Sequence, residues 1–331
     1  FDDGWQADPD EGGDSRPKTE ILQDTSRSVL TFTDSPDIGF DRSVNPYRGC
    51  EHGCIYCYAR PTHAFLGLSP GLDFETRIFA KPEAPSLLAA ALAKPGYRCR
   101  PIALGTNTDP YQPIERSLEI TRGIIKVLSD ANHPLTITTK SVNVVRDIDL
   151  LAPMAAKGLA SVAISVTTLD PALHRMLEPR TPSPARRLDA VRRLAEAGVP
   201  VSVMAAPMIP ALNDRELEAI IEAAAVAGAR SAAYTLLRLP LEVAPLFEEW
   251  LKTHAPLRAA HVLSLVRGTR DGRINDSAFG RRMVGSGPYA LLLAKRFALA
   301  AKRSGLDRRW PALDVTRFVA PQPARGQLRL L

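Results

Sequence analysis

Short apolar runs alternate with amphipathic stretches along the middle of the chain. The apolar, β-branched runs predict strands at 102–106, 135–139, 161–166, 199–205 and 231–237, and a further strand near 44–47. Helices between successive strands are typical of βα units that build a parallel sheet. About six such units predict an α/β fold of the TIM type, a partial (βα)6 barrel rather than the full eight units. Functional residues are then expected at the C-terminal ends of the strands.

Two helices have clear predicted boundaries. One is expected to begin where Asn213 caps it, with Glu216 three residues on, and to end at Gly228. The helix before it stops at Gly198 and has an inward apolar stripe, so its four arginines are predicted to face solvent. They are Arg186, Arg187, Arg192 and Arg193. After about residue 256 the alternation of apolar runs and amphipathic stretches ends, and only one helix is predicted there, starting near Pro288.

The composition is that of an ordinary globular protein, and it divides the chain into three parts. Hydrophobic residues make up 45% and charged residues 24% of the 331 positions, and no apolar run is long enough to cross a bilayer. The predicted parts are an extended or partly disordered lead-in at 1–40, the barrel at 41–255 and a basic helical extension at 256–331. The first residues show no basic segment followed by an apolar one, so no secretion signal is expected and the predicted compartment is the cytoplasm.

The net charge of +6 is unevenly distributed. Residues 1–20 hold seven acidic residues against Arg16 and Lys18, whereas the segment from Arg267 onward holds fourteen arginines or lysines against four aspartates. Such an excess suits a nucleic acid, since cations that neutralise phosphates release counterions. It equally suits a solvated surface, or pairing with the acidic N-terminal segment. The leading candidates for phosphate contacts are Arg281, Arg282, Lys295, Arg296, Lys302, Arg303, Arg308 and Arg309.

Three of the four cysteines lie in one short loop that contains glycine. Cys50, Cys54 and Cys57 follow the first predicted strand, while Cys99 stands alone. Thiolates are ligands of iron–sulfur clusters and of zinc, and a 4Fe-4S cube held by three protein ligands leaves one iron open. A structural zinc site completed by His52 or His63 is the alternative, although zinc sites usually show two ligand pairs.

The Cys-x3-Cys-x2-Cys spacing, with Tyr56 just before the last cysteine, resembles the signature of the radical S-adenosylmethionine superfamily. The resemblance implies that the open iron of a 4Fe-4S cluster binds the amino and carboxylate groups of S-adenosylmethionine. It also implies that the reduced cluster, supplied by a donor such as a flavodoxin or ferredoxin, cleaves the sulfonium. The resulting 5′-deoxyadenosyl radical would take a hydrogen atom from the substrate, while the protein binds, orients and excludes water.

Polar residues follow three of the later predicted strands. Residues 105–109 end one strand, Lys140 follows the next, and Ser165 lies in the third. A small residue with side-chain acceptors would suit the amino group of the cofactor, and a buried lysine its carboxylate. A plain turn or a solvated charge also explains each place alone. The candidate cofactor contacts are Tyr56, Thr106, Asn107, Thr108, Asp109, Lys140 and Ser165.

These strand ends together resemble the spore photoproduct lyase branch of the superfamily, also labelled DNA repair photolyase-like. A Thr or Ser before Asp, a Thr-Lys and a Ser recur in that branch, and they are similar to Thr108-Asp109, Thr139-Lys140 and Ser165. The resemblance covers about residues 43–240 and includes Tyr58, the stretch 109–115, Arg146-Asp147 and Glu178-Pro179. It implies a lyase-like radical reaction, and the basic C-terminal segment suggests a nucleic acid or nucleotide as the substrate.

One departure limits the transfer of a reaction. The lyase has a hydrogen-donating cysteine shortly before its Ser-Asp, whereas this chain has Thr106, whose O–H bond is too strong for easy hydrogen return. Thymine-dimer repair is therefore not predicted. Tyr58 and Tyr111 are the candidate catalytic residues, since a phenol returns a hydrogen atom more readily, and simple packing of both rings is the alternative. The second function class is a non-enzymatic iron–sulfur protein that senses redox state or transfers electrons.

Overall fold

A seven-stranded sheet forms the centre of the computed structural model, which describes residues 18–308 and 312–322. The strands are β1 (Glu20–Gln23), β2 (Leu30–Phe32), β3 (Arg42–Val44), β4 (Tyr47–Arg48), β5 (Arg77–Ala80), β6 (Ile102–Leu104), β7 (Leu135–Thr139), β8 (Ala160–Ser165), β9 (Val201–Met208) and β10 (Ser231–Leu236). The large sheet has the order β10-β9-β8-β7-β6-β3-β2, and β1-β5-β4 form a small second sheet.

Helices follow the strands along the chain. They are α1 (Leu72–Thr76), α2 (Ala84–Leu92), α3 (Glu115–Leu118), α4 (Ile120–Asp130), α5 (Ile148–Ala156), α6 (Pro171–Leu177), α7 (Pro184–Glu196), α8 (Leu217–Val226), α9 (Val243–His254), α10 (Pro256–Gly268) and α11 (Gly287–Arg303). Short 3-10 helices lie at Arg60–Leu66, Val142–Asp147 and Asp214–Glu216.

Six strands of the large sheet are parallel and adjacent in chain order. They run from β3 through β6, β7, β8 and β9 to β10, while β2 pairs antiparallel at the β3 edge. All six residues of β8 are buried, as expected for a strand covered on both faces. The predicted partial (βα)6 barrel is confirmed, and the described strands do not close into a full barrel. The C-terminal ends of the parallel strands therefore meet at one end of the sheet.

The predicted cap of α8 is wrong. The Asn213 side chain instead donates to the Thr167 carbonyl oxygen at 2.7 Å and accepts from the Ile209 backbone N–H at 2.6 Å. Glu216 is occupied as well, because its carboxylate accepts from the Leu169 N–H at 2.6 Å. Both side chains hold the loops at the ends of β8 and β9 rather than the helix, although the helix does end just before Gly228.

The C-terminal part contains one helix more than the sequence pattern suggested. Helix α10 begins at Pro256, and its buried residues are Ala259, Val262, Leu263 and Val266, which is the spacing of one helical face. The expected helix near Pro288 is confirmed as α11. No helix in the described ranges is both long and apolar enough to cross a bilayer.

Candidate active site

The cysteine loop follows β4, at the C-terminal end of β3. Its backbone is fixed at the first cysteine, where the Cys50 N–H donates to the Phe74 carbonyl oxygen at 2.9 Å. Gly49 has φ of 80°, and a Cβ there would lie 2.9 Å from that same oxygen, so the turn requires glycine. All four cysteines are free thiols, and Cys50 and Cys54 are buried.

Two polar residues hold the loop. Arg60 was not singled out in the sequence, whereas Gln112 belongs to the stretch 109–115 of the family resemblance. Arg60 is 1% exposed and donates to the Cys54 carbonyl oxygen at 2.9 and 3.0 Å, and it pairs with Glu75. Gln112 accepts from the Glu51 N–H at 2.9 Å and donates to the Gly49 carbonyl oxygen at 3.2 Å. Hydrogen bonds from Arg60 and Gln112 therefore fix the backbone of the cysteine loop in the absence of a ligand.

The two buried thiols lie in surroundings that oppose their ionisation. Burial raises the pKa of Cys54 to about 12, and burial together with Asp109 raises the pKa of Cys50. A metal binds thiolate, so the ion itself must supply the charge that ionises these side chains. No three His, Cys, Asp or Glu side chains of the described part converge on a single ion. A cube distributes its three thiolates over three different irons, so this loop fits an iron–sulfur cluster better than one zinc ion.

Neither histidine completes a zinc site with these cysteines. His63 is fully buried, its Nε2 lies 3.0 Å from the Arg77 carbonyl oxygen, and its ring packs edge-on against Phe74. His52 has Nδ1 at 3.4 Å from a carboxylate oxygen of Asp109. Each ring has one nitrogen beside a protein oxygen, and neither histidine joins the cysteines in a group of three ligands around one ion in the described part.

Asp109 joins the cysteine loop to the strand ends. One carboxylate oxygen accepts from the Thr139 hydroxyl at 2.6 Å, and the other accepts from the Lys140 N–H at 2.7 Å and faces His52. Burial opposes ionisation, but His52 and these donors outweigh it and lower the pKa of Asp109 to about 2. The Asp109 carboxylate is therefore an anion whose two oxygens already accept hydrogen bonds from the protein. Its role is to position Thr139, Lys140 and His52.

The three residues before Asp109 connect β6 to the start of the loop. Asn45, which lies between β3 and β4, donates to the Thr106 hydroxyl at 3.1 Å and accepts from the Asn107 N–H at 3.0 Å. Thr108 is buried and donates to the Tyr47 carbonyl oxygen at 3.3 Å. Asn45 was missed by the sequence reasoning, because only the sheet brings it beside residues sixty positions away in the chain.

Lys140 is a strand-end cation that acts electrostatically on the Cys54 thiol. Its Nζ lies 5.7 Å from the centroid of the Tyr56 ring. Burial opposes its charge, but Cys54 and Glu178 outweigh burial and raise the pKa of Lys140. It forms no ion pair with any residue in the described ranges. An ammonium group beside the cysteine loop is thus free for an anionic ligand.

The aromatic residue of the cysteine motif rests on a buried ionic network. The Tyr56 hydroxyl donates to Glu178, and Glu178 pairs with Arg187. Burial opposes its charge, but Arg187 and Lys140 lower the pKa of Glu178 to about 2. Arg187 also donates to the Ser165 carbonyl oxygen at 3.0 Å, which ties buried Ser165 to the same network.

The prediction that Arg187 faces solvent is wrong. Arg187 is 1% exposed, whereas Arg192 on the same helix is exposed. A buried carboxylate needs a cation within reach, and Glu178 takes Arg187 across the turn between α6 and α7. Glu178 and Arg187 therefore support the ring of Tyr56 together.

The two candidate catalytic tyrosines lie in different surroundings. The Tyr58 hydroxyl donates to the Thr106 carbonyl oxygen, and the side chain is 47% exposed. Tyr111 is fully buried, and its hydroxyl donates to Asp147 at 2.9 Å. The catalytic hypothesis for Tyr111 is not supported, because a fully buried phenol bound to Asp147 cannot face a substrate. Tyr58 stays a candidate beside the cysteine loop.

The basic residues of the C-terminal part do not form one free surface. Arg281 pairs with Asp271 at 2.6 Å, Arg282 pairs with Asp37, and Arg296 pairs with Glu218 at 2.6 Å. Arg309 and the acidic residues of segment 1–17 lie outside the described residues. Cys99 is partly buried before β6, and burial raises its pKa to about 11. It lies at the opposite end of the sheet from the cysteine loop.

Comparison with known proteins defines the class. Residues 44–224 match the family model described as the Radical SAM superfamily. The chain therefore belongs to the radical S-adenosylmethionine superfamily, and it is a radical S-adenosylmethionine enzyme. That membership implies S-adenosylmethionine and an iron–sulfur cluster in general.

Individual proteins are similar to this chain. An uncharacterized protein of Mycobacterium tuberculosis (strain ATCC 25618 / H37Rv) is 39% identical over 230 residues, which are 69% of this chain and 68% of the relative. An uncharacterized protein of Methanocaldococcus jannaschii is 30% identical over 199 residues, 60% of this chain and 71% of the relative. A solved structure of spore photoproduct lyase complexed with dinucleoside spore photoproduct has a TM-score of 0.60 at 17% identity. It covers 86% of this chain and 79% of that one, and it confirms the predicted fold resemblance.

Proposed function

We propose that the chain binds one 4Fe-4S cluster through Cys50, Cys54 and Cys57 and cleaves S-adenosylmethionine reductively. The hydrogen atom would then be taken from a nucleic acid or a nucleotide in a lyase-like reaction. The observation that carries the proposal is the pairing of three buried or half-buried free thiols with an ammonium group, Lys140, that has no acidic partner in the described part. A flavodoxin or ferredoxin would supply the electron.

The residues of the site suit distinct parts of the cofactor. Lys140 provides a positive charge for the carboxylate of S-adenosylmethionine. Thr106 and Asn107, which follow β6 at the same end of the sheet, would contact its amino group. Asp109 holds the Lys140 backbone at 2.7 Å, and the Glu178–Arg187 pair holds the Tyr56 ring. When bound, the cluster supplies the electron that breaks the sulfonium bond. The Tyr58 hydroxyl donates to the Thr106 carbonyl oxygen. Transfer of its hydrogen atom to a substrate radical would leave a tyrosyl radical, which the same electron donor would reduce with uptake of a proton.

The proposal for the substrate rests on the branch motifs and on charge. The pairs Thr108-Asp109 and Thr139-Lys140 and the residue Ser165 match the branch by position and meet at one end of the sheet. Arg238 lies next to Tyr58 at the same end and forms no ion pair with any described residue, which suits phosphate. A non-enzymatic redox role is set aside because the chain belongs to a superfamily of enzymes.

The test compares cysteine variants after anaerobic reconstitution. Cys50→Ala, Cys54→Ala and Cys57→Ala should each lose most of the iron and all formation of 5′-deoxyadenosine with reductant and S-adenosylmethionine. Cys99→Ala is the matched control, since Cys99 lies at the other end of the sheet, and it should retain both. Zinc in the anaerobically purified protein, or an unchanged cluster in the triple variant, would defeat the proposal.

A further inference from the structure

Two contacts between an arginine and an exposed aromatic ring lie where β10 ends, next to the cysteine loop. The guanidinium carbon of Arg238 is 5.3 Å from the centroid of the Tyr58 ring, and that of Arg282 is 4.8 Å from the Phe279 ring. The rings are 47% and 57% exposed. The Leu236 N–H donates to the Met283 carbonyl oxygen at 2.8 Å, so the segment that carries Phe279 and Arg282 lies against the end of β10.

Arg238 lacks an acceptor for its donors. Its Nε is buried without a hydrogen-bond partner, and Nη1 contacts only the Met283 sulfur at 3.7 Å, which is a weak acceptor. Burial and the neighbouring charge of Arg282 lower the pKa of Arg238. It forms no ion pair with any described residue. A buried donor left unpaired is unfavourable, so an acceptor from a ligand would complete this arrangement.

A third arginine, Arg270, links the two backbone segments that carry the positively charged Arg238 and Arg282. Arg270 is 1% exposed and donates to the Leu237 carbonyl oxygen at 2.9 Å and to the Arg281 carbonyl oxygen at 2.9 Å. It thereby fixes the two segments that carry Arg238 and Arg282. Arg282 forms an ion pair with Asp37, whereas Asp37 acts on Arg238 only without direct contact. Fixed cations with too few acids prepare a site for an anion.

We propose that Arg238, with Arg282 and the rings of Tyr58 and Phe279, forms a subsite for a phosphate group of the substrate. The planar guanidinium fork matches the oxygens of phosphate, and exposed rings are platforms on which nucleobases stack. Both features together fit a nucleotide unit better than a ligand that carries only carboxylates. The inference rests on the proposed function, because it takes the substrate to approach the end of the sheet where Cys57 and Tyr58 lie.

The test uses the full reconstituted chain and a fluorescent single-stranded octathymidylate. Arg238→Gln should weaken binding about tenfold and reduce the slope of log affinity against log salt by about one, since one phosphate contact is lost. Arg238→Lys should bind with intermediate affinity. Phe279→Ala removes an exposed ring, so it should fold normally and still weaken binding about threefold or more. The matched control is Arg192→Gln, an exposed arginine of α7, which should bind like the wild type.

Three further probes show whether the anion that binds is a backbone phosphate, a free nucleotide or a carboxylate. A methylphosphonate octathymidylate has the same bases without backbone charge, and its weak binding should be insensitive to Arg238. Competition by thymidine 5′-monophosphate as strong as by the strand would indicate a free nucleotide as substrate. Wild-type affinity in Arg238→Gln, or equal competition by polyglutamate, would overturn the phosphate subsite. Iron content and 5′-deoxyadenosine formation without substrate, measured in the same preparations, should not change in Arg238→Gln. Their absence in the wild type would refute the proposed function instead.

Discussion

Buried charges at single residues determine how the cysteine loop is supported. Glu178 and Arg187 are both almost fully buried, and each takes part in holding Tyr56 or Ser165. Such a pair is costly to desolvate, but it is far more costly to break, because the remaining charge is left without a partner. We infer that the pair fixes the ring of Tyr56 for ligand binding rather than adding much to the stability of the fold.

Replacing Arg187 with Met tests this account of the pair. The variant should lower the free energy of unfolding by about 3–5 kcal/mol, since Glu178 would stay buried without its cation. Arg192→Met on the exposed face of the same helix should change it by about 0.5 kcal/mol or less. Denaturant unfolding of both variants measures the difference. Equal stabilities would mean that Glu178 is neutral in the folded protein.

The roles of Tyr58 and Tyr111 can be separated without a known substrate. A phenolic hydrogen exchanges with solvent, so in D2O a phenol near the reaction site can return deuterium to the 5′-deoxyadenosine that forms. Tyr58→Phe should lower the fraction of 5′-deoxyadenosine that carries solvent deuterium, with unchanged iron content. Tyr111→Phe should leave that fraction unchanged and lower the free energy of unfolding by about 1 kcal/mol, because Asp147 loses a donor. Mass spectrometry reads the fraction. The same fraction in the wild type and in Tyr58→Phe would make Tyr58 a packing residue.

Sequence spacing could identify the cysteines but not most of the residues around them. Cys50, Cys54 and Cys57 lie close together in the sequence, so their spacing alone predicts a loop that binds an iron–sulfur cluster. Asn45, Arg60 and Arg187 act through contacts between distant segments, and an arginine in a sequence shows no sign of burial until its partner is known. Glu178-Pro179 was recognised by resemblance, and its pairing with Arg187 gives the physical reason for that match.

At the scale of the elements, the turn after β6 brings candidate cofactor contacts to the cysteine loop. The strand was predicted to reach Thr106, but it ends at Leu104 because Gly105 adopts φ of 83°. A Cβ at Gly105 would lie 2.0 Å from the Thr138 carbonyl oxygen of β7. Only glycine permits both the positive φ and this close approach, which directs Thr106 and Asn107 toward Asn45.

Gly105→Ala should therefore disturb both stability and cofactor binding. Gly96→Ala is the matched control, since Gly96 has φ of 79° with no atom within 4 Å of the added Cβ. The control should lose about 1–2 kcal/mol of unfolding free energy from the positive φ alone. Gly105→Ala should lose about 1–3 kcal/mol more from overpacking. Equilibrium dialysis should show weaker S-adenosylmethionine binding in Gly105→Ala only. Similar losses of unfolding free energy in both variants would mean that the β7 backbone shifts to make room for the added methyl group.

Periodicity predicted the strands well and the irregular elements poorly. The parallel strands coincide with short apolar and β-branched runs, so their positions were recovered within a few residues. Helix α10 was missed although Ala259, Val262, Leu263 and Val266 carry a helical spacing, because arginine and histidine residues interrupt the run. Asn213 and Glu216 had the pattern of a cap, but loop N–H and C=O groups at the ends of β8 and β9 compete for them. The boundaries at residues 40 and 255 stay predictions.

On the scale of the whole molecule, the basic C-terminal part reaches both ends of the sheet. Arg282 lies at the C-terminal end of β10, through the contact of Met283 with Leu236. The stretch after α11 lies at the other end, where the Ala232 N–H at the start of β10 donates to the Leu306 carbonyl oxygen at 3.1 Å. Val319 likewise donates to the Ala131 carbonyl oxygen at 2.9 Å, near the start of β7. The charge excess in the sequence therefore does not correspond to one continuous nucleic-acid surface.

This division predicts that only part of the basic segment affects the substrate. Replacing Lys302, Arg303 and Arg308 together with Gln should leave octathymidylate affinity within about twofold and its salt slope unchanged, because these residues lie away from the cysteine end. Arg282→Gln should weaken binding and lower the slope, since it removes a cation beside Arg238. Titrations at several salt concentrations measure both quantities. If the triple variant lowers the slope by about three units, the strand is bound across the N-terminal end of the sheet. A strand held there would be separated from Cys57 by the length of the parallel strands, so its target nucleotide would have to reach the site from a distant anchoring surface.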